Sequence, residues 1–440
     1  MEVKRLLTHR VSQNAFASMV RTVLQIVIGF VGNYFVVRFV SPENLGIWAL
    51  TFTFASFLNL ADMGVSTALI RFIANKEKKR SQYFWTTIYF YLLTGLIGGL
   101  ILLVLQKLFG SYFFKEVTPD LLFILLSLLG AYGALLSSTV TNAFNGLQLM
   151  HYAGSLEVLK SFSYYTITLL ALPSLGIYSF ALALIASNLL AFTIGWGLLT
   201  KHIQLPFMWP DLATAKELFT FGSKSYGIQI INQLKGAYLK LLTSRLFAIE
   251  YVAFVDLTQK IAGYFRQFLL SIVVPLMPAA SEYHAKKQTE KIKRLYWTSL
   301  GALFGVGTAM TVSFIVAAPF IISLWLGPEY SPVVAASQLI SVAVLFNLLT
   351  GPGFSILQAI DKQKPLLFTS FIGLITFAVL TSVFALSIGF NGIFVGNIVA
   401  EFVVGSGFLW WIWSSKPMTS TYGKAFLSAN LGKVADKTQD

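Results

Sequence analysis

The chain has 440 residues, of which 56% are hydrophobic and 11% charged, with a net charge of +14 and no cysteine. Soluble domains carry roughly 25% charged residues, so a chain this apolar, with a mean hydropathy of +0.72, does not cover a water-facing surface with polar groups. The missing cysteines exclude a disulfide framework, thiol chemistry and cysteine-based metal sites.

The basic start "MEVKRLLTHR" leads into an apolar run from about Val11 to Phe39. That run is too long for a signal h-region and has no A-x-A end, so the first helix is expected to be kept. Beyond it, runs such as "FYLLTGLIGGLILLVLQKLFG" (90–110) reach the ~20 residues that cross a hydrocarbon core of ~30 Å. Apolar runs bounded by polar or Gly/Pro punctuation predict spans at 13–38, 46–73, 83–107, 120–145, 152–172, 177–200, 219–247, 252–280, 295–325, 333–359, 365–388 and 391–414. The reading is an all-α polytopic membrane protein with twelve transmembrane helices; the alternating segments of a barrel are absent.

Loops after even-numbered spans hold the basic clusters "NKEKKR" (75–80), "KH" (201–202), "HAKKQTEKIKR" (284–294) and "DKQK" (361–364). Loops after odd-numbered spans are nearly free of Lys and Arg, apart from "KLFGSYFFKE" (107–116). This bias predicts that both termini and the basic loops are cytoplasmic. The net charge is then explained by that bias and by anionic headgroups, and nucleic acid is not expected as a partner. His9, His151, His202 and His284 all fall at cytoplasmic ends or loops, so neither a metal site nor an intramembrane proton relay is predicted. Short outside loops count against a membrane-embedded sugar-polymer enzyme, and no GxxxxGK[ST] loop is present for ATP.

Six spans, a connection at 201–218 and six more spans suggest a duplication in parallel orientation. At an offset of 207 residues "RFVSPENLGIWALT", from Arg38, meets "RLFAIEYVAFVDLT", from Arg245. Arg38 aligns with Arg245, Glu43 with Glu250, Leu50 with Leu257 and Thr51 with Thr258. The expected division is an N-terminal lobe at 1–200, a cytoplasmic linker at 201–218, a C-terminal lobe at 219–414 and a cytoplasmic tail at 415–440. Each Arg–Glu pair is expected at the outer end of its lobe, either bracing a gate or tying its helix hairpin.

A Lys or Arg at a helix centre costs ~2.5–3.5 kcal/mol on insertion scales, so intramembrane cations are candidate functional groups. The first span places Asn14, Ser18, Arg21, Gln25, Gly29 and Gly32 on one helical face. Arg21 either lines a cavity there or snorkels to the surface. The seventh span, "FGSKSYGIQIINQLKGAYLKLLTSRL" (221–246), carries Lys224, Lys235, Lys240 and Arg245, and Lys240 shares a stripe with Gln229, Gln233 and Gly236. Lys224 is placed near the cytoplasmic side, and Lys235 about 24 Å along the span. The eighth span adds Lys260 and Arg266, and Arg71 lies at the cytoplasmic end of the second. The buried acids are Asp62, Asp256 and Glu401; Asp62 is read as a partner of Arg21 or Arg266 or as a coupling site. Excess buried positive charge predicts an anionic substrate held by Lys and Arg.

The twelve spans, the "SPENLGIWAL" junction and "LADMGVSTALIRFIA" before a basic loop resemble the Wzx-type O-antigen flippases of the polysaccharide-transport family. These belong to the MOP superfamily with MurJ and MATE proteins. The resemblance implies a MATE/MurJ-like fold, with two six-helix lobes around a V-shaped central cavity and alternating access in a bacterial or archaeal plasma membrane. The implied cargo is an oligosaccharide on polyprenyl diphosphate, and the implied partners are the bilayer and the polysaccharide polymerase and ligase machinery. MurJ relatives line their cavity with arginines on helices 1, 2 and 8, where Arg21, Arg71 and Arg266 fall here. No cofactor is implied beyond a coupling ion (H+ or Na+) or the membrane potential. The alternative is a MATE-type exporter of cations, with Asp62 or Glu401 as its coupling acid.

Overall fold

The computed structural model describes residues 2–115, 117–271, 276–286, 288–359 and 363–415. The expected tail after Ser415 lies outside the described residues, as do the side chains of Asn14, Ser18 and Lys224. The described chain is helical: α1 (Glu2–Phe39), α2 (Pro42–Ser56), α3 (Val65–Asn75), α4 (Arg80–Phe114), α5 (Leu121–Gly146), α6 (Met150–Leu175), α7 (Tyr178–Leu199), α8 (Leu212–Leu246), α9 (Glu250–Ser271), α10 (Leu276–Ala285), α11 (Thr289–Leu326), α12 (Ser331–Asn347), α13 (Gly351–Ala359), α14 (Gln363–Ile388) and α15 (Phe390–Ser415). Every predicted span coincides with one helix or with two successive helices.

Among the described residues, nine helical stretches are long and apolar enough to cross a membrane. The predicted spans that fall short, α6, α8 and α9 with α10, carry Glu157, Lys160, Lys235, Lys240, Asp256 and Lys260. Such helices cannot face lipid all round, because charged groups in hydrocarbon need partners.

The second span is not one continuous helix. It is α2, a 3-10 segment (Phe57–Asp62) and α3, with Met63 and Gly64 both left-handed at φ 48° and 79°. Asp62 makes the break affordable: its carboxylate accepts from the backbone N–H of Ser66 (2.9 Å) and of Gly64 (3.2 Å). Gly64 and Gly222 of α8 also meet backbone to backbone, each leaving no room for a Cβ on the other. The tenth predicted span is likewise divided, into α12/α13, while the eighth covers α9 and α10, and residues 272–275 between them lie outside the described residues.

Two compact units emerge, residues 1–260 with 320–334, and residues 261–319 with 335–440. In the first, α3, α4, α5 and α8 share a core of Val65, Leu69, Phe72, Tyr83, Tyr91 and Leu218. A second core joins α4 to α7 through Phe84, Val140, Phe144, Leu156 and Leu199. Small residues bring the helices close, as membrane packing requires: Gly130 faces Leu184, and Gly32 lies under the ring of Tyr165. In the second unit Gly392 and Gly396 of α15 sit directly on the Phe384 and Leu380 carbonyls of α14. Leu269, Leu303, Val344, Leu345 and Leu348 form the core of that unit.

A Gly64→Ala change adds a Cβ against the Gly222 carbonyl and places alanine in a left-handed conformation costing roughly 1–2 kcal/mol. We expect a markedly lower thermal midpoint in detergent, whereas Gly99→Ala, which meets open space, stays within about 0.5 kcal/mol of the parent.

Candidate functional site

Three of the intramembrane charges come together in the first unit. Lys240 of α8 and Lys260 of α9 both bind the carboxylate of Asp256, Lys260 at 3.0 Å and one helical turn from it. Asp256 is half-buried, and Lys260 is the most open of the three, with 37% of its side chain exposed. Lys260 also donates to Asn33 Oδ1 (3.0 Å), while the Asn33 amide donates to the Tyr165 hydroxyl (2.8 Å) and to the Gly29 carbonyl (2.6 Å). The network therefore ties α1, α6, α8 and α9 together. Two ammonium groups against one carboxylate leave it one positive charge in excess. Trp48, Tyr164, Tyr165 and Phe180 close around Asp256 and Lys260, leaving a cavity of about 20 Å³, which is space for one water.

Neither Asn33 nor Tyr165 was among the residues expected from sequence. Asn33 lies one turn beyond Gly29 on the polar stripe of α1, which was the available signal; Tyr165 had none, because aromatic residues are common throughout the chain.

Asp62 pairs with neither Arg21 nor Arg266. Besides the two backbone donors, it accepts from the Ser66 hydroxyl (2.9 Å) and from the Tyr91 hydroxyl. It borders a polar cavity of about 370 Å³ between the α2–α3 break, α5 and α8.

The remaining candidates are dispersed. Arg21 lays its aliphatic stem along Gly154 of α6, and Gln25 is half-buried on the same α1 face. Arg71 caps the Phe221 ring at 4.3 Å. Lys235 is half-buried on α8. Arg266 is exposed on the part of α9 that belongs to the second unit, where Glu401 of α15 accepts from the Asn347 amide at 2.8 Å. Among the described residues no cluster of three His, Asp or Glu is placed to hold a metal ion.

The Arg–Glu pairs of the two junctions are not ion pairs among the described residues. Arg38 instead stacks on Tyr34 and donates to the Trp325 (3.1 Å) and Leu324 (3.4 Å) carbonyls at the end of α11. Arg245 lies over the Tyr112 ring at 4.5 Å. Glu43 and Glu250 occupy the first turns of α2 and α9, where a negative charge complements the helix dipole. Ser41 and Pro42 complete the start of α2 as N-cap and first residue. Lys115, in the loop that departs from the predicted charge bias, donates to the Phe247 carbonyl (2.8 Å) just past α8.

In the basic loop after α3, Lys76 forms an ion pair with Glu217 of α8 and donates to Tyr83 (2.9 Å), whose hydroxyl also donates to Glu217. These bonds, first that from Lys76 and then that from Tyr83, hold the Glu217 carboxyl below its ordinary 4.5. The same partner raises Lys76 above 10.5.

Solved structures share the architecture. An inward-facing multidrug resistance MATE family transporter of the MOP superfamily superposes with TM-score 0.75 and 16% identity, over 92% of this chain and 99% of that one. The outward-facing conformation of a MATE family transporter gives 0.69 and 15% over 94% and 96%, and a MATE in the straight conformation 0.66 and 15% over 94% and 97%. The chain thus shares the polytopic all-helical fold of these MATE structures. Residues 35–335 match the profile of the polysaccharide biosynthesis protein family, and the chain belongs to that family. No curated protein matches it.

Two outcomes follow. Asp256→Asn leaves two ammonium groups without their carboxylate, so stability in detergent should fall, by less than the about 3–5 kcal/mol of breaking a fully buried pair, because Lys260 is part-exposed. The Lys76–Glu217 contact is fully present above the Glu217 reference of 4.5 and is lost as pH falls through its lowered folded value. The stability gap between the parent and Glu217→Gln should therefore narrow below pH 4.5.

Proposed function

We propose that the protein flips an oligosaccharide carried on polyprenyl diphosphate from the cytoplasmic to the outer leaflet of a bacterial or archaeal plasma membrane. Membership of a polysaccharide biosynthesis family and a transporter fold support this reading. The observation that carries it to an anionic headgroup is the Lys240–Asp256–Lys260 network, with its excess positive charge and part-exposed Lys260.

The physical difficulty of flipping is the headgroup, since phosphates and sugars pay several kcal/mol per polar group in hydrocarbon, whereas the polyprenyl chain is at home there. Lys260 has three N–H donors and spends one on Asp256 and one on Asn33. The third is available to a phosphate oxygen, and a charge-assisted bond of this kind is worth ~1.5–3 kcal/mol. Arg21 and Lys235 of the same unit are further candidate cations, and Arg266 is a separate candidate on the second unit.

The basic loops support cytoplasmic termini. With that orientation an inside-negative potential drives an anion outward, by ~2.3 kcal/mol per charge at 100 mV. H+ or Na+ coupling through Asp62, Asp256 or Glu401 is the other available drive. Polymerase and ligase machinery would receive the flipped units.

The MATE neighbours favour a second reading, export of small cations. In a strain lacking the gene, the parent chain should restore surface polysaccharide, and Lys260→Ala should restore it about tenfold less well, as expected for one lost charge-assisted bond, at equal membrane levels. Normal surface polysaccharide on deletion, together with drug sensitivity, would contradict the flippase reading and favour the exporter.

A further inference from the structure

We propose that the polar cavity beside Asp62 is a carbohydrate subsite, which receives uncharged sugar residues of the cargo apart from the cationic network. The inference rests on the proposed function and deepens it by assigning the glycan its own contacts.

The lining carries the argument. Asn59, Ser138, Asn142, Tyr226, Gln229 and Gln233 face a space of about 370 Å³, within the roughly 300–1,000 Å³ of small-molecule sites. Gln233 donates to Ser56 (2.8 Å) and Tyr226 to the Leu60 carbonyl. Asn59, Asn142 and Gln229 have no hydrogen-bond partner among the described residues, and all three are part-exposed or exposed. A primary amide offers two donors and an acceptor on one rigid group, the complement of vicinal hydroxyls on a sugar ring. Gln229 and Gln233 lie about 15 and 21 Å along the predicted span. At that depth open amides are expensive unless water or a polar ligand meets them.

Charge narrows the ligand further. Among the described residues no Lys or Arg lines this cavity, so the lining offers a phosphate amides and hydroxyls in place of a cation. A cationic drug would find a carboxylate whose oxygens are engaged by Gly64, Ser66 and Tyr91. A neutral polyol is what remains. Beside it, between α2 and α4, lies an apolar cavity of about 590 Å³ that includes Phe54, Leu58, Ile97 and Ile101, and the two share Leu60 and Tyr226 as a wall. An amphiphile with sugar on one side of that wall and isoprenoid on the other satisfies both.

The absence of cysteine makes the test clean. Asn142→Cys and Gln229→Cys, with Glu77→Cys on an exposed loop turn as control, are introduced singly and reconstituted in vesicles. Labelling by a small neutral maleimide is followed with the polyprenyl-diphosphate glycolipid extract of cells lacking the gene, with sugar-free polyprenyl diphosphate, or with a quaternary ammonium dye. Flipping of the extract is measured in parallel. We expect the glycolipid to slow labelling at Asn142→Cys and Gln229→Cys about fivefold or more, about 1 kcal/mol, with no effect of the other two ligands and none at Glu77→Cys. Equal protection by sugar-free diphosphate, or protection by the dye, would overturn the subsite, as would flipping without protection. Protection without flipping would support the subsite and sink the proposed function; neither would sink both.

Discussion

The Lys240–Asp256–Lys260 ion network is the constraint around which the first unit is organised. A lone ammonium or carboxylate at membrane depth is costly, so each of these side chains requires the others within hydrogen-bond reach. Because they lie on α8 and α9, and Lys260 reaches Asn33 of α1 and through it Tyr165 of α6, meeting that requirement fixes four helices at once. Three of the four predicted spans concerned, α6, α8 and α9, are those too polar to pass as apolar membrane helices. Their lack of hydropathy and their mutual attachment have the same cause.

How much of this was legible follows from what each signal measures. The twelve spans could be read because apolar run length is a local property of the chain. The interruption at Asp62 was signalled by the "DMG" triplet, a capping acid and a glycine, but it was hidden inside an otherwise continuous apolar run. The pairing of Asp256 with two lysines was only half visible: Lys260 follows at one helical turn, whereas Lys240 arrives through tertiary packing. The repeated Arg and Glu of "RFVSPENLGIWALT" and "RLFAIEYVAFVDLT" were read as gate or staple. Each copy places a cation in the last turn of one helix and an acid in the first turn of the next, the arrangement that helix dipoles favour. Arg38 extends this to a neighbour, donating to carbonyls at the end of α11.

A fold shared with multidrug transporters does not carry their substrate with it, since function lies in the site grafted onto a fold. Here the three candidate coupling acids are all engaged: Asp62 closes a helix break, Asp256 neutralises lysines and Glu401 binds Asn347. What is offered instead is excess positive charge in one place and uncharged amides in another. That division matches a lipid-linked glycan, whose diphosphate and sugars make different demands on the protein.

The central claim, that positive charge left over from the network engages the headgroup, is tested most directly by first isolating that leftover charge and then removing it. Leaflet translocation of the polyprenyl-diphosphate glycolipid extract would be measured in proteoliposomes for two variants. Lys240→Met with Asp256→Asn removes one charge of each sign and leaves Lys260; adding Lys260→Met leaves no charge at all. The account predicts that the first variant transports and the second, folded to the same extent, does not. Transport by the uncharged variant at the parental rate would contradict it.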